Sequence, residues 1–407
     1  MKNLLVVTFA GLGEREIAGA PTFWKTVEGF LSAGWKVWVV DIGTKEDTPL
    51  GERDYGDGLY VIRFNPPFLR MARAKKIGWF FSLYNTFYIR RKLVGEAKKI
   101  ISSQKLTQEN TVIYALGTYA VHAGKIISQR YNMPLVNRFM GSWDALSWKD
   151  NIPNRLRYYP ELQAYGMAAD IVVAANDGTR TDALLERQHN QSKKVLFWRN
   201  GVDPLPEHLP TPLFFATFPK DTPVLMTVCR LRVTKGIDRS IRAMSVVKKT
   251  HPNARLIICG DGPARESLEK LTDDLGLRDT VFFVGTVSHD EVPAYLQRAD
   301  IFLSFYLESN LGNPIYEAMR CGCAIVTSDV GTTRDVIHDD ENGILLSPEG
   351  LDESIPAAIC RLLDNPSERA RLAAGAKQYA AENFWTWDER IAAEIHEVTA
   401  LLPQEGN

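Results

Sequence analysis

The sequence predicts two doubly wound α/β domains, on three observations. The chain has 407 residues, more than one ordinary core accommodates at roughly 100–200 residues per domain. Apolar runs of strand length alternate with helical segments, the pattern of parallel sheets covered on both faces. The alternation also comes as two series, separated by a proline-rich stretch over 204–223 that includes Pro204, Pro206 and Pro210.

In the first series residues 4–9 read as a buried strand and 22–33 as a helix stopped by Gly34, with the next strand at 36–40. Residues 112–115, 135–138 and 171–174 repeat the strand signal. The second series places strands at 224–229, 255–259, 281–284, 301–305 and 324–327, with a helix over 236–249. A final helix is expected over 387–402, longer than the second domain needs to close its sheet; a return to the first domain explains it. The expected domains are therefore 1–203, joined by the helix 387–402, and 204–386.

Composition narrows the function classes. With 45% hydrophobic and 24% charged residues the chain reads as soluble and globular. A net charge of −1 excludes a chain-wide pull toward nucleic acid or anionic lipid, so no nucleic acid partner is expected. No apolar run approaches the ~18 residues of a spanning helix. The short N-terminal run ends in Gly11 and Gly13 and reads as a strand, not a signal peptide. Five cysteines without metal-ligand spacing point to free thiols in a reducing cytoplasm. Cys321 and Cys323 read as small packing residues or, less favoured, as a redox-active pair.

Three clusters could carry chemistry. Gly11-Leu12-Gly13 lacks the third glycine of a dinucleotide fingerprint. Gly19, before Pro21 and the first helix, either lets an anion approach a helix N-terminus or marks a plain turn. Arg230 and Lys235 stand at the end of the strand 224–229, where ligands of a parallel sheet bind. A guanidinium fork and an ammonium suit a diphosphate, although basic loops are commonly just solvated. The third cluster runs from Leu307 through Glu308, Ser309, Asn310, Leu311, Gly312 and Asn313 to Pro314, which opens a helix. Glu317, one turn in, suits two vicinal ribose hydroxyls, or is a first-turn glutamate favoured by the helix dipole.

Together these clusters resemble family 4 of the retaining glycosyltransferases, whose fold is called GT-B: two Rossmann-like domains facing across a cleft. The likeness is strongest over 195–345. It rests on Asn200-Gly201-Val202-Asp203, on Arg230-Leu231 with Lys235-Gly236, on Gly260-Asp261-Gly262-Pro263, on Phe283-Val284-Gly285, and on Pro314-Ile315-Tyr316-Glu317-Ala318-Met319 with Gly322. Two positions depart from the family pattern. Ser309 stands where the first of two paired glutamates is usual, and Met140 stands where a histidine often precedes glycine. Arg138 or the backbone at Gly141 is then expected to serve on the acceptor side, and the nearest histidine, His122, reads as structural.

The resemblance implies a nucleotide diphosphate sugar as donor, with no cofactor and no metal; no Asp-x-Asp stands near an expected strand end. It implies phosphates on Arg230, Lys235 and the amides near Gly19 and Gly312, and a ribose on Glu317. Gly260, Gly262, Gly285 and the run Ser309–Asn313 complete the expected donor site. Arg230, Lys235 and Glu317 are the expected catalytic set, acting by electrostatic stabilisation of the leaving diphosphate.

The acceptor is addressed by the stretch 60–95, which contains no Asp or Glu. Its cations, from Arg63 to Arg90, Arg91 and Lys92, interleave with aromatics, and Phe80, Leu83, Tyr84 and Phe87 share one helical face. That combination suits peripheral contact with the inner face of a membrane through 63–92 and a lipid-linked or membrane-proximal glycan acceptor. A core helix with a solvated basic edge produces the same pattern. Two rival functions stay open: a nucleotide-sugar epimerase on the same fold, and a non-catalytic sugar-binding homologue.

Overall fold

The computed structural model describes residues 1–9, 21–43, 50–67, 78–141, 159–206 and 209–403. The chain divides into two compact units. Unit 1 comprises 1–176, 180–200 and 387–407; unit 2 comprises 177–179 and 201–386. The junction thus falls three residues before the expected one. The short segment 177–179, which the sequence places inside the first domain, packs with unit 2.

Unit 1 contains β1 (Asn3–Thr8), α1 (Pro21–Ser32), β2 (Lys36–Ile42), β3 (Gly51–Asp54), β4 (Leu59–Phe64) and α2 (Gly78–Ser103). It continues through β5 (Thr111–Leu116), α3 (Thr118–Tyr131), β6 (Leu135–Phe139), α4 (Tyr159–Gly166), β7 (Ile171–Ala175), α5 (Thr181–Arg187) and β8 (Lys194–Trp198). The sheet order is β3-β4-β2-β1-β5-β6-β7-β8. Pairings are parallel apart from the antiparallel β3–β4 edge. The central strands β1 and β5 are buried at every position, as covered faces require. Sequence periodicity misses β3 because Gly51-Glu52-Arg53-Asp54 is exposed throughout and carries no apolar alternation.

Unit 2 contains β9 (Val224–Val228), α6 (Ile237–Thr250), β10 (Arg255–Cys259), α7 (Arg265–Asp274), β11 (Val281–Gly285) and α8 (Val292–Arg298). It then forms β12 (Ile301–Ser304), α9 (Asn313–Cys321), β13 (Ala324–Ser328), β14 (Ile344–Leu346), α10 (Leu351–Asp364) and α11 (Pro366–Asn383). Its parallel sheet runs β11-β10-β9-β12-β13-β14.

The terminal helix α12 (Trp387–Thr399) belongs to unit 1. Its Glu394, buried completely, accepts hydrogen bonds from Tyr114 Oη, from Arg138 Nη1 at 3.3 Å and from Arg390 Nη1 at 2.7 Å. Arg138 Nη1 also reaches Thr26 Oγ1 at 2.7 Å and Tyr114 Oη at 3.0 Å. Burial opposes ionisation of Glu394, but the two guanidinium groups outweigh it and hold the carboxyl below its ordinary value. The acceptor role expected for Arg138 is thereby corrected: the side chain is buried and spent inside unit 1. Gly141 is half-buried with φ 110°, and its carbonyl accepts from Tyr165 Oη at 3.0 Å. His122 is a buried residue of α3, its Nδ1 3.3 Å from Thr118 O.

The basic, aromatic stretch 60–95 is not one amphipathic element. Its start is β4, where Arg63 is buried beside Asp41 and donates to Tyr55 Oη at 3.2 Å, so Arg63 leaves the expected membrane-facing set. Residues 68–77 lie outside the described residues. On α2 the buried face is Ile89, Leu93, Ala97 and Ile100, while Tyr84 and Phe87 are exposed, Phe87 by 67%. No helix among the described residues is long and apolar enough to cross a membrane.

Candidate active site

In a doubly wound sheet, loops at the carboxyl ends of the strands form a crevice where the strand order reverses. In unit 2 the reversal falls at β9: the chain steps out through β10 and β11, then returns as β12 on the other side of β9. The loop 229–236 after β9 and the loop 305–312 after β12 flank that point.

The β9 loop is fixed from one side by the β10 loop. Cys229 N donates to Cys259 O and Leu231 N to Asp261 O, each at 3.0 Å. A Cβ on Gly260 would stand 1.9 Å from Cys229 O, and one on Gly262 2.4 Å from Leu231 O. These glycines, expected as donor contacts, are required by backbone packing between the two loops. Gly285 closes the row, its carbonyl accepting from Gly260 N at 2.7 Å.

Beyond that anchor the β9 loop carries Arg230, exposed, and Lys235, half-buried at the end of a 3-10 turn. Lys235 Nζ sits 3.7 Å from the centroid of the Tyr306 ring. Burial pushes the ammonium pKa below its ordinary value; Cys229 and Asp177 pull it back up, Arg232 lowers it and Glu308 raises it. Burial likewise pushes the Asp177 carboxyl up, against hydrogen bonds from Thr179 and the charge of Lys235.

The β12 loop is a self-bonded scaffold. Asn310 Oδ1 accepts from Ser304 Oγ and Tyr306 N, both at 2.9 Å, and its Nδ2 donates to Ser328 O at 2.8 Å. Ser309 Oγ donates to Asp177 O at 2.7 Å and accepts from Leu311 N at 3.2 Å. The Leu311 side chain is core, and Gly312 N donates to Asn310 O at 2.9 Å. Ser309, Asn310, Leu311 and the Gly312 amide, expected as donor contacts, thus also build the loop that carries them. Asn313 heads α9. Gly19 lies outside the described residues.

One turn into α9, the Glu317 side chain is 14% exposed, with Oε1 3.8 Å from His289 Nδ1. Burial, and then the neighbouring Asp203 carboxylate, push its pKa up to about 7. The Glu317 carboxylate adds a small upward push on the Tyr306 hydroxyl, which burial holds far above its ordinary value. The site therefore presents two cations suited to a diphosphate and a carboxylate suited to hydroxyl donors. Among the described residues no group of three or more His, Cys, Asp and Glu could hold a metal ion.

Residues 213–379, which include Arg230, Lys235 and Glu317, match the family model for glycosyl transferases group 1. That match lies wholly within unit 2. The chain is 32% identical over 164 residues to an α-D-kanosaminyltransferase of Streptomyces kanamyceticus, covering 40% of this chain and 42% of that one. It is 30% identical over 179 residues to a GDP-mannose-dependent α-(1-6)-phosphatidylinositol monomannoside mannosyltransferase of Mycolicibacterium smegmatis, 42% of this chain and 46% of that one. The chain thus spans a little under half the length of these curated relatives. Sucrose-phosphate synthase of Thermosynechococcus elongatus superposes with a TM-score of 0.77 at 20% identity, covering 98% of both chains. The fold of the two units is GT-B.

Around this site the sequence reading missed Tyr306, Asp177 and His289. Tyr306 follows a buried strand and reads as one more core aromatic. Asp177 sits in the first series of strands and reaches the site only because 177–179 packs with unit 2. The available signal was the departure from apolar pattern at Asn176-Asp177-Gly178 directly after β7.

Proposed function

We propose that this protein transfers a glycosyl group from a nucleoside diphosphate sugar to an acceptor hydroxyl, with retention of anomeric configuration and without a metal ion. The observation that carries this reading is the occurrence of Arg230 and Lys235 on the loop after β9 and Glu317 at the head of α9, all inside the segment that matches the group 1 family model. Cleavage of the anomeric bond develops negative charge on the leaving diphosphate, and two fixed cations lower the barrier by stabilising it. Glu317, once ionised, accepts hydrogen bonds from the ribose. Retention rests on the family resemblance and agrees with the α-linkages named in the two relatives. The test is release of nucleoside diphosphate from a panel of donors, with product configuration read by NMR and a chelator included. No release from any donor overturns the reading, and loss in chelator restored by magnesium overturns its metal-free part.

The acceptor in this reading is a lipid-linked or membrane-proximal glycan, reached from the cytoplasmic leaflet. The exposed Tyr84 and Phe87, with Arg91 exposed one turn on, support it, as does the phosphatidylinositol glycan named for the mycobacterial relative. Basic residues near an anionic surface contribute about 1 kcal/mol each. Replacing Arg90, Arg91 and Lys92 by glutamine is expected to release the protein from anionic vesicles at low salt while leaving nucleotide affinity intact. A wild-type protein that ignores such vesicles makes a soluble acceptor the better reading.

A further inference from the structure

We propose that Tyr306 is the positioning residue for the phosphate-binding cation, its ring face holding the Lys235 ammonium where a donor diphosphate meets it. This rests on the donor-site reading above. Lys235 Nζ lies 3.7 Å from the ring centroid, well inside the ~6 Å range of a cation–π contact. The ring itself is immobilised. Tyr306 is buried, its amide donates to Asn310 Oδ1 at 2.9 Å, and its hydroxyl reaches Val228 O at 3.4 Å.

The two loops are also fixed to each other on either side of this contact. Leu307 N donates to Thr234 O at 3.0 Å. Gly236, φ 60°, lies so close to the β12 loop that a Cβ there would stand 2.0 Å from Phe305 O. Lysine places a point charge on a flexible four-carbon stem, so an unsupported ammonium is poorly aimed. An aromatic face attracts the cation through its quadrupole and carries no net charge, so the field toward an anionic ligand is kept. The other groups acting on Lys235 are Asp177 and Glu308, which attract it, Arg232, which repels it, and the Cys229 thiol, pushed up to about 11 by burial.

The experiment is calorimetric titration of the full chain with nucleoside diphosphate. Position 306 carries tyrosine, phenylalanine, leucine, or phenylalanine with one, two or three ring fluorines, and Lys235→Ala is measured alongside. Fluorination drains the ring quadrupole at nearly constant shape. Affinity is expected to fall stepwise with each fluorine, by about tenfold at three, and by a similar factor in Tyr306→Leu. Tyr306→Phe is expected to rescue it. If Lys235→Ala weakens binding while the fluorinated series stays flat, Tyr306 is only a packing residue and this proposal fails alone. If the wild type binds no nucleoside diphosphate, or Lys235→Ala binds as the wild type does, the donor-site reading fails and this proposal with it. The fluorinated series keeps the shape of the core, so misfolding of Tyr306→Leu leaves the test intact.

Discussion

Each unit of this molecule places a cation against a tyrosine, and the two pairs serve opposite ends. In unit 1, Arg138 at the end of β6 is 4% exposed and meets Tyr114, Thr26 and Glu394, with Arg390 completing the cluster. In unit 2, Lys235 after β9 stays half-buried over the Tyr306 ring, with the exposed Arg230 on the same loop. Both residues read in sequence as a basic residue at a strand end, which is why both were expected to meet a ligand. What separates them is the partner. A buried carboxylate neutralises Arg138 and makes it part of the core. The Tyr306 face beside Lys235 carries no net charge, so the ring does not itself neutralise the ammonium.

That contrast can be broken most forcefully in unit 1. Glu394→Ala leaves two buried guanidinium groups without their carboxylate and is expected to cost about 3–5 kcal/mol of stability, read from the midpoint of urea unfolding. A loss below 1 kcal/mol would show that water reaches the cluster and that Arg138 is not held as described.

The next effect belongs to unit 2 and is kinetic. Lys235→Ala and Arg230→Ala are each expected to lower turnover by roughly a hundredfold or more, with unfolding midpoints close to the wild type. Near-normal turnover in both would remove the distinction between the two clusters.

Glu317 sharpens the comparison through pH. Its folded pKa, about 7, lies above the ordinary carboxylate value, so the folded state holds an extra proton between the two. Stability therefore falls as pH rises through that window, and the full penalty is present above pH 7. Glu317→Gln abolishes the slope and is expected to be more stable than the wild type by on the order of 1–3 kcal/mol at pH 8, with no difference below pH 4.5. In the wild type, nucleotide affinity is expected to strengthen as pH rises through about 7, because only the ionised carboxylate accepts two hydroxyl donors. Identical unfolding curves for the two proteins at pH 8 would contradict the buried placement.

The smallest effect is expected at Ser309. Its hydroxyl tethers Asp177 O and receives Leu311 N, so Ser309→Ala is expected to cost about 1 kcal/mol of stability and to leave the Michaelis constant for the donor nearly unchanged. A large rise in that constant would return Ser309 to the sugar.

The sequence by itself determined the two α/β series, because strands buried on both faces are written as unbroken apolar runs such as Leu4-Leu5-Val6-Val7 and Leu256-Ile257-Ile258. It also marked the loops proposed above to carry chemistry, because cations at Arg230 and Lys235 and the proline-led helix at Pro314 follow closely on those runs. It was silent on β3, whose four exposed residues carry no periodic signal, and on the packing need for Gly260 and Gly262, whose neighbours are backbone atoms of another loop. Only the tertiary structure decided which strand-end cation is neutralised: the carboxylate that answers Arg138 is Glu394, 256 residues further along the chain. Local pattern records what an element buries; it does not record what arrives from elsewhere in the chain to meet it.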